Sequence, residues 1–162
     1  MGLIYLKPRF GLYGGGFDPP HKAHVALAAA AIAQLRLDRL IVMPTGDAYH
    51  KTRTLSAGAH RLAMCELAFA ALPQVTVSDM ELRRSGSSFT FDTLHALRQA
   101  QPGAHWFLLM GADQAQLFHH WHRWADILQQ ATLAIAVRPD PDDQDSGWRA
   151  DDPLPGTGVP AA

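Results

Sequence analysis

The sequence predicts an α/β protein, a doubly wound sheet of about five parallel strands with helices on both faces. Three observations point there. Apolar runs at 9–13, 39–43, 74–78, 105–110 and 132–137 alternate with stretches of helical periodicity. The run Leu40-Ile41-Val42-Met43 is apolar without alternation, as strands buried on both faces are. Glycines, histidines and hydroxyl residues cluster just after the runs, where ligands of such sheets bind at the switch in strand order.

Residues 9–13 form the first strand. The alanine-rich stretch 25–35, apolar all round, predicts a helix buried on more than one side. Residues 39–43 form the second strand, which Pro44-Thr45-Gly46-Asp47 ends in a loop. The polar, basic stretch 49–57 predicts a surface loop. A second helix follows over 59–72, with Leu62, Cys65, Glu66, Phe69 and Leu72 at helical spacing and Pro73 as the stop. Its opening pair, His60-Arg61, opposes the helix dipole and is assigned to exposed surface. Alternation at 74–78 predicts a third strand, and 91–101 a third helix capped by Ser88 or Thr90. The fourth strand, 105–110, runs into Gly111. Short helical pieces at 113–118 and 123–130, with Trp124 as a core residue, lead to the fifth strand. Parallel strands require right-handed crossovers. Residues 1–138 then make one domain. From 139 onward six aspartates and five prolines predict a flexible tail over 139–162.

Nearly half of the 162 residues are apolar, which supports one packed core and excludes an extended disordered chain. The single cysteine, Cys65, excludes an internal disulfide framework and fits a reducing, cytoplasmic setting; its neighbours predict a buried helical position. No apolar run is long enough to span a bilayer, so no membrane partner is expected. The net charge of −1 conceals an asymmetry. Residues 139–162 carry six Asp against one Arg, and 1–138 carry thirteen Lys/Arg against nine Asp/Glu, with all nine histidines. That excess is too small for a nucleic acid polymer, yet suits small anionic ligands. The sequence leaves a homo-oligomer open.

The stretch Tyr13-Gly14-Gly15-Gly16-Phe17-Asp18-Pro19-Pro20-His21-Lys22-Ala23-His24 lies between the first strand and the first helix. Glycines there let backbone N–H groups approach a ligand, and a helix start favours anions. His21 and His24, three apart, share a face. Polyphosphate is the ligand class such donors suit. The string resembles the G-G-x-F-D-P-x-H-x-G-H signature of the Rossmann-like nucleotidyltransferases with an HxGH motif, and within them bacterial nicotinate-nucleotide adenylyltransferases. Gly16 stands where that family has Ser or Thr, and Ala23 where it has Gly.

The resemblance extends over about residues 9–139 and implies further site residues. Thr45-Gly46-Asp47-Ala48-Tyr49-His50-Lys51 resembles the family's N-N-x-P-P-H-[KR] loop, matching at His50 and Lys51. The string from Glu81 to Leu94, with Arg84, Ser88-Phe89-Thr90 and Thr93, resembles E-L-x-R-x-x-x-S-[YF]-T-x-x-T-L, whose Ser-Tyr-Thr segment contacts the pyridine carboxylate. Gly111-Ala112-Asp113 and Trp121-His122-Arg123-Trp124 resemble its G-x-D and W-x-x-W segments, and Arg138-Pro139 ends the fifth strand as in the family. By resemblance, ATP is held by Gly14, Gly15, Gly16, Phe17, His21, His24, Gly111, Asp113 and Arg138. Nicotinate mononucleotide meets Thr45, His50, Lys51, Ser88, Phe89, Thr90, Trp121 and His122. The family's later I-S-[SA]-T-x-[IV]-R motif is not found in 139–162.

The implied reaction is adenylyl transfer from ATP to nicotinate mononucleotide, with His21 and His24 catalytic. Mg²⁺ accompanies ATP, and no protein metal site is expected from His119, His120 and His122. Alternatives are pantetheine-phosphate adenylyltransferase activity, and a nucleotide-binding protein without catalysis. The glycine spacing and the lack of a downstream acidic partner argue against a dinucleotide-dependent oxidoreductase.

Overall fold

Parity along the strands builds two cores. The computed structural model describes residues 6–46 and 55–137. β1 (Arg9–Gly15) runs through the middle of a five-stranded parallel sheet, paired with β2 (Arg39–Pro44) on one side and β4 (His105–Gly111) on the other. β3 (Val75–Val77) and β5 (Thr132–Ala136) complete the order β3-β2-β1-β4-β5. Successive side chains of a strand point to opposite faces. Tyr13, Leu40, Val42, Phe107 and Leu109 therefore enter one core with Ala28, Leu35, Cys65 and Phe69. Leu12, Met43, Trp106, Leu108 and Met110 enter the other with Leu94, Phe118 and Ile127.

The first core is covered by α1 (Lys22–Leu35) and α2 (Gly58–Ala68), the second by α3 (Thr90–Ala100) and α5 (Trp124–Gln130). Between β4 and α5 lie the short α4 (Ala112–Gln116) and a 3₁₀ turn, Phe118–His120. The predicted doubly wound sheet is the observed one. Among the described residues no helix is long and apolar enough to cross a membrane.

Several boundaries moved for physical reasons. α1 begins at Lys22 rather than 25, with His21 as the residue before the first turn. α2 stops at Ala68 because Phe69, 2% exposed, turns into the core. Tighter bonds such as Leu72 N–H to Phe69 O, 3.0 Å, close the chain after it. The N-cap of α3 is Phe89, not Ser88 or Thr90, and no side chain caps it. Trp124 is not a core residue: it is 41% exposed, and its ring meets that of Phe118 edge-on. Cys65 is buried as expected, and burial pushes its thiol up to about 11, so it is an inert packing residue. Residues 47–54 and 138–162, with His50, Lys51, Arg138 and the predicted tail, lie outside the described residues.

Candidate functional site

The order β3-β2-β1-β4-β5 reverses direction between β1 and β4, and there a crevice opens beyond the strands' carboxyl ends. A cleft of about 730 Å³ fills it, within the range of small-molecule sites. Its wall carries Gly14, Gly15, Gly16, Phe17, His21 and His24 from the β1–α1 connection. Gly111 and Asp113 join them from the β4–α4 junction. Leu27, Ala136 and Val137, which drew no attention in the sequence, complete an apolar side. Every residue assigned to ATP within the described chain faces this one space.

Local geometry explains the turn. Phe17 takes a left-handed conformation, φ 46°, unusual for a residue with a side chain. Its ring offsets that strain: it is 3% exposed and meets Tyr13, His24 and Phe69 edge-on, with centroids 5.3, 5.1 and 6.0 Å away. A Cβ on Gly15 would come within 3.3 Å of that ring, so a side chain there would crowd it. The ring thus faces the core, leaving the backbone to the cleft. The Asp18–Pro19 peptide is cis. Asp18 accepts the Ser56 N–H at 2.8 Å, tying the turn to the chain entering α2.

The two histidines stack, with ring centroids 3.7 Å apart. The backbone N–H of His21 donates to Nδ1 of His24 at 3.0 Å. An accepting ring nitrogen carries no proton, so neutral His24 holds its proton on Nε2 as a donor. Burial, then the neighbouring His21, pulls His24 down to about 4. At neutral pH it is an uncharged N–H donor awaiting an anion.

That shift has a stability consequence. A histidine with a lowered folded pKa binds fewer protons folded than unfolded. Its contribution is whole above about 6.5 and is lost as pH falls toward 4. The melting temperature should therefore fall more steeply across this window in the wild type than in His24→Gln. Glu81, raised mainly by burial, acts with the opposite sign, so the comparison between the two proteins is the test. Parallel curves would contradict the assignment.

The residues assigned to the second substrate do not line this cleft. Those among the described residues, Thr45, Ser88, Phe89, Thr90, Trp121 and His122, gather beside it, around the end of β2, the start of α3 and the segment after the 3₁₀ turn. The Thr45 N–H donates to Gly15 O at 2.8 Å, placing Thr45 next to the glycine turn. Gly46 sits against Glu81 and Ser88: a Cβ built on it would be 2.5 Å from Glu81 O and 3.5 Å from Ser88 Oγ. The Thr45 and Ser88 hydroxyls are buried without a hydrogen-bond partner, as polar groups in a ligand site often are. The Phe89 ring lies on His122 with centroids 4.3 Å apart, so the α3 start and the segment after the 3₁₀ turn meet. Trp121 is half-buried against Phe118, 5.3 Å between centroids.

The structure overturns one expectation outright. Arg61 was assigned to exposed surface, as His60 indeed is, yet Arg61 is 4% exposed. It donates to Ser56 O at 2.8 Å, Gly16 O at 3.1 Å and Thr45 O at 2.7 Å. Its burial follows from the need to neutralise carbonyls that the tight turns point inward. The unfavourable position of a cation at a helix start was the only local sign. Glu81 and Thr93, to which the sequence gives no individual roles, are buried together, the Thr93 hydroxyl donating to the Glu81 carboxyl at 3.0 Å.

Among the described residues no group of three His, Cys, Asp or Glu is placed to hold a metal ion. Asp113 places a carboxylate on the cleft wall.

Comparison with known proteins bears on the family and the fold. The family model described as cytidylyltransferase-like matches residues 12–156. A protein of Albidiferax ferrireducens named "Probable nicotinate-nucleotide adenylyltransferase" is 55% identical over 130 residues, 80% of this chain and 66% of that one. A protein of the same name from Bordetella petrii is 43% identical over 131 residues, 81% of this chain and 66% of that one. The chain thus spans just under two thirds of the length of these relatives. Among solved structures, nicotinic acid mononucleotide adenylyltransferase of Plasmodium falciparum complexed with NaAD superposes with a TM-score of 0.70. At 20% identity, covering 86% of this chain and 69% of that one, it speaks for the fold.

Proposed function

Because this chain belongs to the cytidylyltransferase-like family, we propose that it transfers the adenylyl group of ATP to nicotinate mononucleotide, a step of NAD biosynthesis in the cytoplasm. The products are nicotinate adenine dinucleotide and pyrophosphate. The observation that carries the reading is the stacked His21–His24 pair on the wall of the switch-point cleft, facing the glycine turn. The names of its 55% and 43% identical relatives support the choice of reaction.

In this reading the triphosphate of ATP lies along the β1–α1 turn, against the backbone N–H groups of Gly15, Gly16 and Phe17. Mg²⁺ enters as part of the substrate, on the phosphates. The acceptor's phosphate oxygen attacks the α-phosphorus in line. A new P–O bond forms as the bond to the β-phosphate oxygen breaks, and that oxygen leaves with pyrophosphate. The acceptor phosphate is already ionised, so no strong base is needed, and catalysis is positioning plus charge stabilisation. His24 gives its Nε2 proton as a hydrogen bond to the oxygen on which charge grows. His21 orients His24 and contacts the phosphates. The acceptor lies beside the cleft, its ring near Trp121, its phosphate facing ATP, and its carboxylate received at the start of α3 by Ser88, Phe89, Thr90 and His122. Thr45, His50 and Lys51 approach it from the end of β2, and Arg138 approaches ATP from the end of β5.

The test is pyrophosphate release with ATP and each of three acceptors: nicotinate mononucleotide, nicotinamide mononucleotide and phosphopantetheine. Turnover should be fastest with the first. Preference for phosphopantetheine would move the chain to a different adenylyl acceptor. ATP binding without pyrophosphate release from any acceptor would make it a nucleotide-binding protein.

A further inference from the structure

Arg61, Glu81 and Thr93 are the buried polar and charged residues among those described, and they belong to one chain of contacts. Arg61 donates to the carbonyl of Thr45, 2.7 Å, and the next residue, Gly46, lies against Glu81, with its N–H toward the Glu81 carboxyl. One peptide unit therefore has a cation at its carbonyl end and a carboxylate at its N–H end. That arrangement follows the peptide's own dipole, and the Arg61 bond to the carbonyl is charge-assisted. The contacts continue at both ends. Arg61 also takes the carbonyl of Gly16, 3.1 Å. Glu81 bonds Thr93 of α3 at 3.0 Å, and Thr93 in turn receives Arg84 at 2.7 Å. Gly46 makes the contact possible, since any Cβ there would collide with the backbone of Glu81.

The grip has a direction. In a planar trans peptide the C=O and N–H point opposite ways. With the Gly16 carbonyl turned into Arg61, the Phe17 N–H points away from the guanidinium, on a residue that lines the cleft. Arg61 thus faces the phosphate-binding turn on one side and the β2 loop on the other, while Glu81 ties that loop to α3.

We propose that Arg61 and Glu81 are paired positioning residues, which, by holding the Thr45–Gly46 peptide between them, set the acceptor side of the site at a fixed distance from the phosphate-binding turn. This rests on the adenylyl-transfer reading for its kinetic consequence, but its structural content does not. Neither side chain touches substrate. Their effect is on alignment, and misplacement by about an ångström can cost on the order of a hundredfold in rate.

The experiment is a double-mutant cycle of Arg61→Lys, Glu81→Gln and the pair, read in two ways. In steady-state pyrophosphate release, each single variant should lower kcat about tenfold to a hundredfold, with KM for each substrate little changed. The double variant should be no slower than the poorer single, because both grip one peptide. Multiplicative losses, or losses confined to KM, would overturn the proposal. In amide hydrogen exchange, each single variant should accelerate exchange at Gly46, and Arg61→Lys at Phe17, while β4 amides keep wild-type protection. Unchanged exchange at Gly46 in both would overturn it as well. Absence of turnover in the wild type would refute the reaction, and the exchange measurement would still decide the positioning role. Glu81→Gln preserves size and shape, and it carries the exchange measurement alone if Arg61→Lys does not fold.

Discussion

Replacing His24 with alanine should lower the turnover of pyrophosphate release about a hundredfold to a thousandfold, the usual loss of one transition-state hydrogen-bond donor. The effect belongs in kcat. Before reaction the phosphate charge is already met by backbone N–H groups, and the His24 bond strengthens as charge moves to the leaving oxygen. The structure prepares that role in two ways. The His21 N–H occupies Nδ1 at 3.0 Å, leaving Nε2–H to donate. Burial keeps the ring uncharged at neutral pH. The His21→Ala variant should lose less, because His24 would keep its backbone partner. A loss confined to KM for ATP, with kcat intact, would reduce His24 to ground-state binding. Wild-type turnover in His24→Ala would end its catalytic assignment.

Gly46→Ala should be the most damaging small substitution outside the core. The new Cβ would sit 2.5 Å from Glu81 O and 3.3 Å from its carbonyl carbon, both backbone atoms that cannot rotate aside. Such crowding costs about 1–3 kcal/mol, a fall of about 2–12 °C in melting temperature for a chain this size. Gly11→Ala is the matched control. Its Cβ would approach Leu40 Cδ1 at 2.7 Å and Leu37 Cδ1 at 2.9 Å, and these methyl ends can swing away. Thermal melts should rank Gly46→Ala well below Gly11→Ala. Equal melts would mean that the β2 loop yields freely. Because Gly46 also lies between the Thr45 carbonyl held by Arg61 and the backbone of Glu81, turnover should fall with stability in the first variant only.

The fold was readable because its rules are local. Strands buried on both faces need continuous apolar runs, and β1, β2 and β4 have them. The glycine turn was readable for the same reason, since its chemistry is contiguous from Gly14 to His24. What could not be read depends on tertiary partners. Arg61 looks like any surface arginine until Gly16 and Thr45 arrive from other segments to offer their carbonyls. Trp124 looks like core by residue type, but α5 buries Ile127 instead. The hydroxyls of Ser88 and Thr90 suggested a cap, whereas the N-cap position falls to Phe89, whose ring rests on His122.

The anchoring of Phe17 has a further meaning for how the site responds to its surroundings. The aromatic edges that pin the Phe17 ring carry no net charge, so that part of the anchorage is insensitive to ionic strength, unlike the Asp18 and Arg61 contacts to the same turn. Added salt should loosen the nucleotide while leaving the shape of its cradle intact. Cooling has the reverse profile, since apolar anchorage weakens on cooling. Ligand grip and the aromatic part of the framework in this site are thus tuned by separate environmental variables.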